Sequence, residues 1–323
     1  KPDHYDITIF GAEPHPNYNR ILLSPVLAGE MQVQDIILNG LDWYAGHGIT
    51  LHRGKTVTRI DRVRRVVIAD DGSEAEYDRL LIATGSTPFR LPIAGNQLPG
   101  VIGYRDIHDT DEMIAAASRY RHAVVIGGGL LGLEAANGLK LRGMDVTVVH
   151  LGPWLLERQL DEVAGRMLQQ SLEDKGLKFL LRKQTEALLP GTDGKRVGAV
   201  RLQVMAAGIR PNFALAEAAG IHCQRGIVVS DTMQTYDPRV YAVGECVSHR
   251  GIAYGLVAPL FEQAKVAANH LAGYGIGRYQ GSVTSTKLKV TGIDLFSAGD
   301  FQGDQADAEE ITLNDPHGGV YKK

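Results

Sequence analysis

The chain has 323 residues, which is enough for two domains with their own hydrophobic cores. With 44% hydrophobic residues, 22% charged residues and a net charge near −3, it gives no electrostatic reason to expect nucleic acid or an acidic membrane surface as a partner. No apolar run is long enough to span a bilayer and the start has no signal-peptide pattern, so we expect a cytoplasmic protein.

The two cysteines, Cys223 and Cys246, are 23 residues apart and lie outside any CxxC pattern. Neither has a histidine beside it at the spacing of a metal site. We therefore expect two reduced thiols in a reducing compartment, and we predict no metal site in this chain.

Apolar runs alternate with amphipathic stretches along the chain, which is typical of an α/β protein with mainly parallel sheets. The first strand is expected within Asp6–Glu13, and a short helix is expected around LDWYAGHG. The Asp71-Gly72 pair between two apolar runs predicts a hairpin turn. In HDTDEMIAAASRY, the positions of Asp109 and Glu112 predict a capping box at a helix start.

The segment VVIGGGLLGLEAANGL is the strongest functional signal in the sequence. Gly127, Gly129 and Gly132 form a G-x-G-x-x-G pattern between a predicted strand and a predicted helix. In a dinucleotide-binding fold these glycines allow the tight turn, the close approach of a pyrophosphate and the packing of helix on strand. The free N–H groups of the helix N-terminus then face the phosphates.

A carboxylate that binds the ribose is expected about 20 residues after such a loop. His150 stands at this position, and no arginine follows immediately to bind a 2′-phosphate. His150 either donates a hydrogen bond to a ribose hydroxyl or simply ends a strand, and the sequence leaves both interpretations open. The pattern favours NADH over NADPH.

In the second half of the chain, apolar runs continue to alternate with amphipathic stretches. LDEVAGRMLQQSLEDKG predicts a long amphipathic helix that Gly176 closes, and APLFEQAKVAANHLAG predicts the last helix. From about Gly281 the tail has the alternation of polar and apolar residues that is typical of β-strands.

At Gln203-Val204 one apolar run meets another without turn residues, and the chain opens directly on a strand. We therefore expect that residues are missing at both points, including a first strand and Gly-rich loop before Lys1.

Three further segments point to a second dinucleotide. Asp6–Glu13 has the pattern of a second strand of another such unit, in which Glu13 is either the ribose carboxylate or a solvated loop residue. Thr84 and Gly85 follow a buried strand in a turn of small residues, which allows a cofactor to approach closely. Gly244 and Glu245 end another buried strand, where a carboxylate can accept a hydrogen bond from a ribityl hydroxyl.

The order of Glu13, IATGS, GGGLLGLE, AAGIRPN and YAVGE resembles that in the two-dinucleotide flavoprotein pyridine-nucleotide reductases. A closer resemblance is to the large subunit of assimilatory NAD(P)H-dependent nitrite reductase and to the flavin electron-transfer subunit of assimilatory nitrate reductase. It covers essentially the whole chain and is carried by PNYNRILLS, VIGGGLLGLEAANGL, ERQLD, GLVAP and TKLKVTGIDLFSAGD, of which KLKVTGID is the most specific element.

The resemblance implies an α/β fold with two Rossmann-like domains, in which an NAD(P) domain is inserted into an FAD domain, followed by the start of a smaller α+β interface domain. The implied bounds are 1–103 and 213–280 for the FAD domain, 104–212 for the NAD(P) domain and 281–323 for the interface domain. It also implies that FAD takes hydride from NADH, with NADPH possible, and passes electrons singly to an iron–sulfur or sirohaem centre outside this segment. That centre would reduce nitrite, or a partner subunit would reduce nitrate.

Site residues follow from the same resemblance. The FAD residues it implies are Glu13, Arg20, Thr84, Gly85, Gly244 and Glu245. The NAD(P) residues it implies are Gly127, Gly129, Gly132, His150, Gly208 and Arg210. Arg210 could equally form an ion pair at a domain interface. Glu134 is a candidate for positioning the nicotinamide, or else a helix-capping or ion-paired residue.

Two differences between this sequence and related families of reductases reduce the number of candidate functions. No cysteine pair exists beside the expected flavin, so a thiol–disulfide relay is not expected. Rubredoxin and ferredoxin reductases usually have a lysine where Pro25 stands here, which weighs against a stand-alone reductase of that kind. A third alternative is a non-enzymatic flavoprotein that senses NAD. Whether the protein forms homo- or hetero-oligomers is left open.

Overall fold

The computed structural model describes residues 4–88, 90–192, 194–203, 210–301, 309–315 and 317–323, while the side chains of 201–203 and 210 fall outside that description. Its helices are α1 (Leu23–Ala28), α2 (Leu41–Gly46), α3 (Ile107–Ala117), α4 (Leu130–Leu141), α5 (Glu162–Asp174), α6 (Ala214–Ala218) and α7 (Val257–Leu271). Short 3-10 turns cover Arg20–Leu22 and Val33–Ile36.

The strands are short and run through the whole chain. In chain order they are β1 (Ile7–Gly11), β2 (Ile49–Arg53), β3 (Val57–Asp61), β4 (Val66–Ala69), β5 (Glu74–Glu76), β6 (Leu80–Ile82), β7 (Ser86–Thr87), β8 (His122–Ile126), β9 (Asp145–Val149), β10 (Lys178–Leu180), β11 (Gln184–Pro190), β12 (Val197–Gln203), β13 (Arg210–Pro211), β14 (Ile227–Val229), β15 (Val240–Ala242), β16 (Val247–His249), β17 (Ser285–Lys287), β18 (Phe296–Ala298), β19 (Leu313–Asp315) and β20 (Val320–Lys322).

Two compact units make up the structure, and both are discontinuous in sequence. The first unit contains residues Lys1–Asn19, Ile37–Thr87 and Ile209–Thr284. The second unit contains residues Arg20–Ile36, Pro88–Gly208 and Ser285–Lys323.

The second unit is built around a parallel sheet with the strand order β10-β9-β8. The apolar, β-branched residues of DVTVV suit a strand covered by helices, and Val146 and Val148 are fully buried. Leu133 and Ala136 of α4 pack into the same cluster, as does Leu172 of the amphipathic helix α5. The predicted strand–loop–helix–strand unit is therefore present, and it fixes where the Gly-rich loop lies.

The first unit pairs β1 with β2, β6 with β15 and β14 with β16, in each case parallel. Ile82, Ile227, Val240 and Ala242 from these strands form its core together with Met233. Because β6 and β15 run in the same direction as neighbours, the turns after both strands meet at one edge of the sheet.

The predicted hairpin at Asp71-Gly72 is confirmed, since β4 and β5 pair antiparallel on either side of it. Gly72 has a φ of +83°, a conformation that a glycine adopts without steric cost. The predicted closure of α5 at Gly176 is also present, with a φ of +84° two residues after the helix ends.

The predicted capping box at Asp109 and Glu112 is wrong. Helix α3 begins earlier, at Ile107, and its N-cap is Asp106, whose side chain accepts a hydrogen bond from the Asp109 N–H at 2.8 Å. Residues 106–111 contain four side chains able to cap a helix, Asp106, Asp109, Thr110 and Asp111, so the sequence pattern did not single out Asp106, the one with the extended backbone of an N-cap.

Beyond the helical core of the second unit, the tail forms the antiparallel pairs β17-β18 and β19-β20. The predicted break between Gln203 and Val204 lies outside the described residues, because 204–209 are among those not described. Across the described ranges, every helix is too short or too polar to cross a membrane.

Candidate functional site

The Gly-rich loop of the second unit connects β8 to α4 and is shaped by its own backbone. Gly127 has a φ of +120°, and its N–H donates to the carbonyl of Val149 at 2.8 Å. A Cβ at Gly132 would lie 2.1 Å from the carbonyl oxygen of Gly127. Glycine is therefore required at Gly132 by the packing of the helix on the loop, as the sequence pattern predicts for the third glycine.

Gly129 has a different role from Gly132. It is the N-cap of α4, has extended backbone and provides no side-chain cap. A Cβ added at Gly129 would meet nothing within 4 Å. The first N–H groups of this 12-residue helix thus open onto space beside the loop, where the positive end of the helix dipole attracts an anion. This is the anion-binding geometry that the G-x-G-x-x-G pattern predicts for the loop.

Glu134 lies one turn into α4 and is buried within the second unit. Ser24 donates a hydrogen bond from its hydroxyl to Glu134 Oε2, and the Lys289 N–H donates to Oε1 at 3.1 Å. Tyr104 donates in turn to the Ser24 hydroxyl at 3.1 Å. Burial raises the pKa of Glu134, because its charged form loses water that these hydrogen bonds only partly replace. The carboxylate is neither a helix cap nor an ion pair.

The structure adds three residues around Glu134 that sequence reasoning did not connect to it: Ser24, Tyr104 and Lys289. Ser24 is the last residue of the PNYNRILLS element. Lys289 belongs to the KLKVTGID element, and it contributes its backbone N–H. No local spacing could have predicted these contacts, since Ser24 is 110 residues and Lys289 is 155 residues from Glu134.

His150 follows β9 directly and is buried. The N–H of Gly128 donates to His150 Nδ1 at 3.0 Å, and His150 Nε2 lies 2.8 Å from Glu157 Oε2. A Cβ at Gly128 would lie 2.7 Å from the imidazole ring. The histidine is therefore packed directly against the Gly-rich loop.

In the first unit, Thr84 and Gly85 follow β6 in a turn with a φ of +64° at Gly85. Thr84 Oγ1 donates to the carbonyl of Asn212 at 2.7 Å, and the Asn212 side-chain amide donates to the Thr84 carbonyl at 3.1 Å. The Asn212 N–H donates to the Gly85 carbonyl at 3.0 Å. Asn212, which ends the AAGIRPN element, thus holds this turn in place.

The neighbouring turn follows β15 and contains Gly244 and Glu245. Gly244 has a φ of +95°, and its N–H donates to Gln263 Oε1 at 3.0 Å. Ser86 donates from its hydroxyl to Glu245 Oε2 at 2.8 Å. The parallel pairing of β6 and β15 therefore brings Thr84, Gly85, Gly244 and Glu245 to one sheet edge.

The remaining candidates are spread over both units. Glu13 follows β1, is half-buried and accepts a hydrogen bond from the Tyr18 hydroxyl at 2.6 Å in the first unit. Arg20 belongs to the second unit and donates to the Arg105 carbonyl at 2.8 Å. The backbone of Arg210 pairs with Thr87 in β13 and β7, while its side chain and the whole of Gly208 lie outside the described residues.

Asp106, His108 and Asp109 in the second unit could in principle bind a metal, since each offers a ligand atom within 4.8 Å of the others. The Asp106 side chain, however, already caps α3. The cluster is thus explained by the helix start, and we assign no metal to it.

Both cysteines are free thiols in the first unit. Burial raises the pKa of Cys223 to about 11 and also raises the pKa of Cys246. Thiols of this kind stay protonated near neutral pH and react poorly with disulfides. This agrees with the expectation that no thiol–disulfide relay operates here.

Two family profiles match the chain. Residues 1–270 match the pyridine nucleotide-disulphide oxidoreductase family, and residues 285–323 match the rubredoxin NAD+ reductase C-terminal domain. The 1–270 match alone covers most of the chain.

Two curated relatives from Bacillus subtilis (strain 168) are similar over 99% of this chain. A nitrite reductase [NAD(P)H] is 54% identical and an assimilatory nitrate reductase electron transfer subunit is 50% identical. The chain covers 41% and 42% of these two proteins, so it spans less than half of their length. They confirm the resemblance that the sequence motifs indicate.

The crystal structure of a covalent putidaredoxin reductase–putidaredoxin complex is similar over 96% of this chain and 78% of the matched chain. The TM-score is 0.85 at 28% sequence identity. Together with the family profile, this confirms the predicted α/β class with two dinucleotide-binding domains.

Proposed function

The chain belongs to the pyridine nucleotide-disulphide oxidoreductase family, and from that premise we propose that it binds FAD and NAD(P)H and passes electrons from the nucleotide to a redox partner. The proposal rests on one observation. Each compact unit contains its own cradle of glycines and polar groups, at the Gly127–Gly132 loop in one unit and at the β6 and β15 strand ends in the other.

We assign the two cradles to different cofactors. The first unit would hold FAD through its strand-end turns, with Thr84 and Gly85 close to the cofactor and Glu245 accepting from a hydroxyl. Glu13 would bind a ribose. On this assignment the first unit forms most of the FAD domain, and the segment that carries Gly127 and Glu134 belongs to the NAD(P) domain. The bounds 1–103, 104–212, 213–280 and 281–323 remain the expected domain limits.

In the second unit, Gly129 and the N-terminus of α4 would bind the pyrophosphate of NAD(P)H, and Glu134 would position the nicotinamide side. The hydrogen bonds from Ser24 and from the Lys289 N–H hold the Glu134 carboxylate in one orientation. Positioning of this kind, rather than a protein nucleophile, is the contribution expected from the chain, because FAD and the nicotinamide supply the hydride transfer when bound.

The proposed electron acceptor is an iron–sulfur or sirohaem centre outside this segment, in a cytoplasmic system that reduces nitrite or serves a nitrate reductase partner. Two relatives whose names contain nitrite reductase and nitrate reductase, at 54% and 50% identity, support this choice. A stand-alone reductase of a small carrier remains the second candidate, and the match of 285–323 to the rubredoxin NAD+ reductase C-terminal domain favours it.

The decisive experiment is an anaerobic titration of the purified full-length protein with NADH and then NADPH, following the flavin absorption band. We expect the band to bleach at about one equivalent of nucleotide per flavin. Adding nitrite should then restore the band if the protein contains its own acceptor centre. Restoration by added rubredoxin but not by nitrite would favour the second candidate.

Two results would contradict the proposal. An intact protein without a flavin band lacks the proposed cofactor. A flavin band that neither nucleotide bleaches would point instead to a flavoprotein that senses NAD without oxidising it.

A further inference from the structure

The His150 imidazole has no nitrogen left for a ribose hydroxyl. Because Nδ1 accepts from the Gly128 N–H, the neutral ring carries its hydrogen on Nε2. Nε2 donates to Glu157 Oε2 at 2.8 Å and lies 3.1 Å from the Trp154 carbonyl. The His150 side chain is only 9% exposed. Both ring nitrogens of His150, the residue at the expected ribose position, are therefore hydrogen-bonded to other groups of the protein.

Glu157 is brought to the same place by the backbone that follows His150. The Leu156 N–H donates to the Gly128 carbonyl at 3.1 Å, so Gly128 is bound on both its N–H and its C=O side. Leu156 is fully buried and has a φ of +55°, a left-handed conformation that is unfavourable for leucine. This strained residue sets the direction in which the chain presents Glu157 beside the Gly-rich loop.

Gly152 leaves room for the pair formed by His150 and Glu157. A Cβ at this position would lie 2.7 Å from His150 Nε2 and 3.1 Å from Glu157 Oε2. The turn after β9 therefore runs directly against the two side chains. Any larger residue at Gly152 would displace one of them.

Glu157 has the charge and the access that a hydroxyl-binding group needs. The hydrogen bond from His150 lowers the pKa of Glu157, so the side chain is a carboxylate at neutral pH. Its side chain is 31% exposed, in contrast to that of His150. A carboxylate with two oxygens can accept more hydrogen bonds than the one from Nε2.

We propose that Glu157 is the carboxylate that accepts a hydrogen bond from the adenosine 2′-hydroxyl of the dinucleotide, and that His150 and Leu156 position it. The inference rests on the proposed NAD(P)H-binding function. A carboxylate seven residues after His150 takes over the contact usually made from the position of His150. Its negative charge also repels a 2′-phosphate, so the site selects NADH over NADPH.

The test compares three non-reacting ligands on the full-length protein by calorimetry: NAD+, 2′-deoxy-NAD+ and NADP+. The wild-type protein should bind NAD+ about 10-fold more tightly than 2′-deoxy-NAD+, since a charge-assisted hydrogen bond is lost. In Glu157→Gln this gap should shrink to about 2- or 3-fold, and NADP+ should bind more tightly than it does to the wild type. Glu162→Gln, an exposed residue paired with Arg166, is the matched control and should preserve all three affinities.

The other outcomes overturn the assignment. If Glu157→Gln weakens NAD+ and 2′-deoxy-NAD+ equally, Glu157 only supports the loop. If the wild type does not distinguish these two ligands, the 2′-hydroxyl is not recognised. If the wild type prefers NADP+, and Arg158→Gln removes that preference, the adjacent Arg158 binds a 2′-phosphate instead. Failure of the proposed function is distinct, because then none of the ligands binds to the wild type.

Discussion

The Gly-rich loop of the second unit and the strand-end turns of the first unit build candidate cofactor cradles in different ways. In the loop, neighbouring residues shape one another: the Gly127 carbonyl leaves no room for a side chain at Gly132. In the first unit, the two turns are held by residues distant in sequence, such as Asn212 on Thr84 and Ser86 on Glu245.

This difference determines what a mutation can reveal. In the loop, one glycine is required for packing and another faces open space, so folding and ligand binding can be separated within six residues. In the strand-end cluster, each side chain contributes a hydrogen bond of moderate strength, so single substitutions should weaken binding by degrees.

The largest effect is expected for Gly132→Ala. Its Cβ would lie 2.1 Å from a backbone oxygen that cannot rotate away, so helix α4 must shift against the loop. We expect the free energy of unfolding to fall by about 3 kcal/mol, measured by chemical denaturation. Gly46→Ala at the end of α2, where a Cβ meets nothing within 4 Å, is the matched control and should change stability by no more than about 0.5 kcal/mol. Equal stability of both variants would contradict the packing role of Gly132.

The next effect is expected for Gly129→Val, in which the side chain enters open space where the pyrophosphate is proposed to lie. The backbone of Gly129, with φ −84° and ψ 179°, is one that valine adopts readily, so the fold should be preserved. We expect NAD+ affinity to fall about 100-fold, or ~2.7 kcal/mol, while FAD stays bound. Calorimetry measures the NAD+ affinity, and the flavin absorption spectrum measures the bound FAD. Loss of both cofactors together would count against two separate cradles.

The same contrast explains how far the sequence alone could lead. The fingerprint loop, the parallel strands and the hairpin at Asp71-Gly72 follow from periodicity and turn residues within about 30 positions. The role of Gly132 was also readable from the motif, because the clash is with a residue five positions away.

Contacts across long sequence separations could not be predicted. Nothing near Glu134 in sequence indicates that Ser24 and Lys289 bind it, and nothing near Glu245 indicates Ser86. The His150 interpretations stayed open for the same reason, since the histidine is engaged by a segment whose strained Leu156 gives no signal in the sequence. The wrongly predicted cap of α3 has a different cause, because several neighbouring side chains are able to cap the helix and the sequence does not show which of them does.

A smaller effect is expected for Ser86→Ala in the strand-end cluster. The variant removes the hydroxyl that donates to Glu245 at 2.8 Å and leaves the carboxylate less well oriented. We expect FAD affinity to fall about 10-fold, in line with one hydrogen bond to a charged group. Fluorescence titration of the apoprotein with FAD measures it, with Ser73→Ala at the exposed hairpin as a control. An unchanged affinity would show that Glu245 does not hold FAD through this orientation.

The smallest effect concerns the buried carboxyl of Glu134 and its dependence on pH. An acid whose pKa is raised in the folded state binds more protons folded than unfolded. Its contribution to stability is therefore present below the ordinary pKa of a glutamate and is lost as the pH rises through the raised value. Glu134→Gln keeps the shape and an acceptor for the Lys289 N–H but does not titrate.

We therefore expect the wild type to lose stability relative to Glu134→Gln as the pH rises from roughly 5 to 8, by less than about 1 kcal/mol. Urea denaturation across this range measures it. Glu112→Gln, at an exposed position of α3, is the control, and its free energy of unfolding should change with pH in the same way as that of the wild type. A stability difference between wild type and Glu134→Gln that stays constant with pH, or a wild type that gains stability relative to the variant as the pH rises, would show that burial does not control this carboxyl. The nicotinamide-positioning group would then titrate as a carboxylate whose pKa burial does not raise.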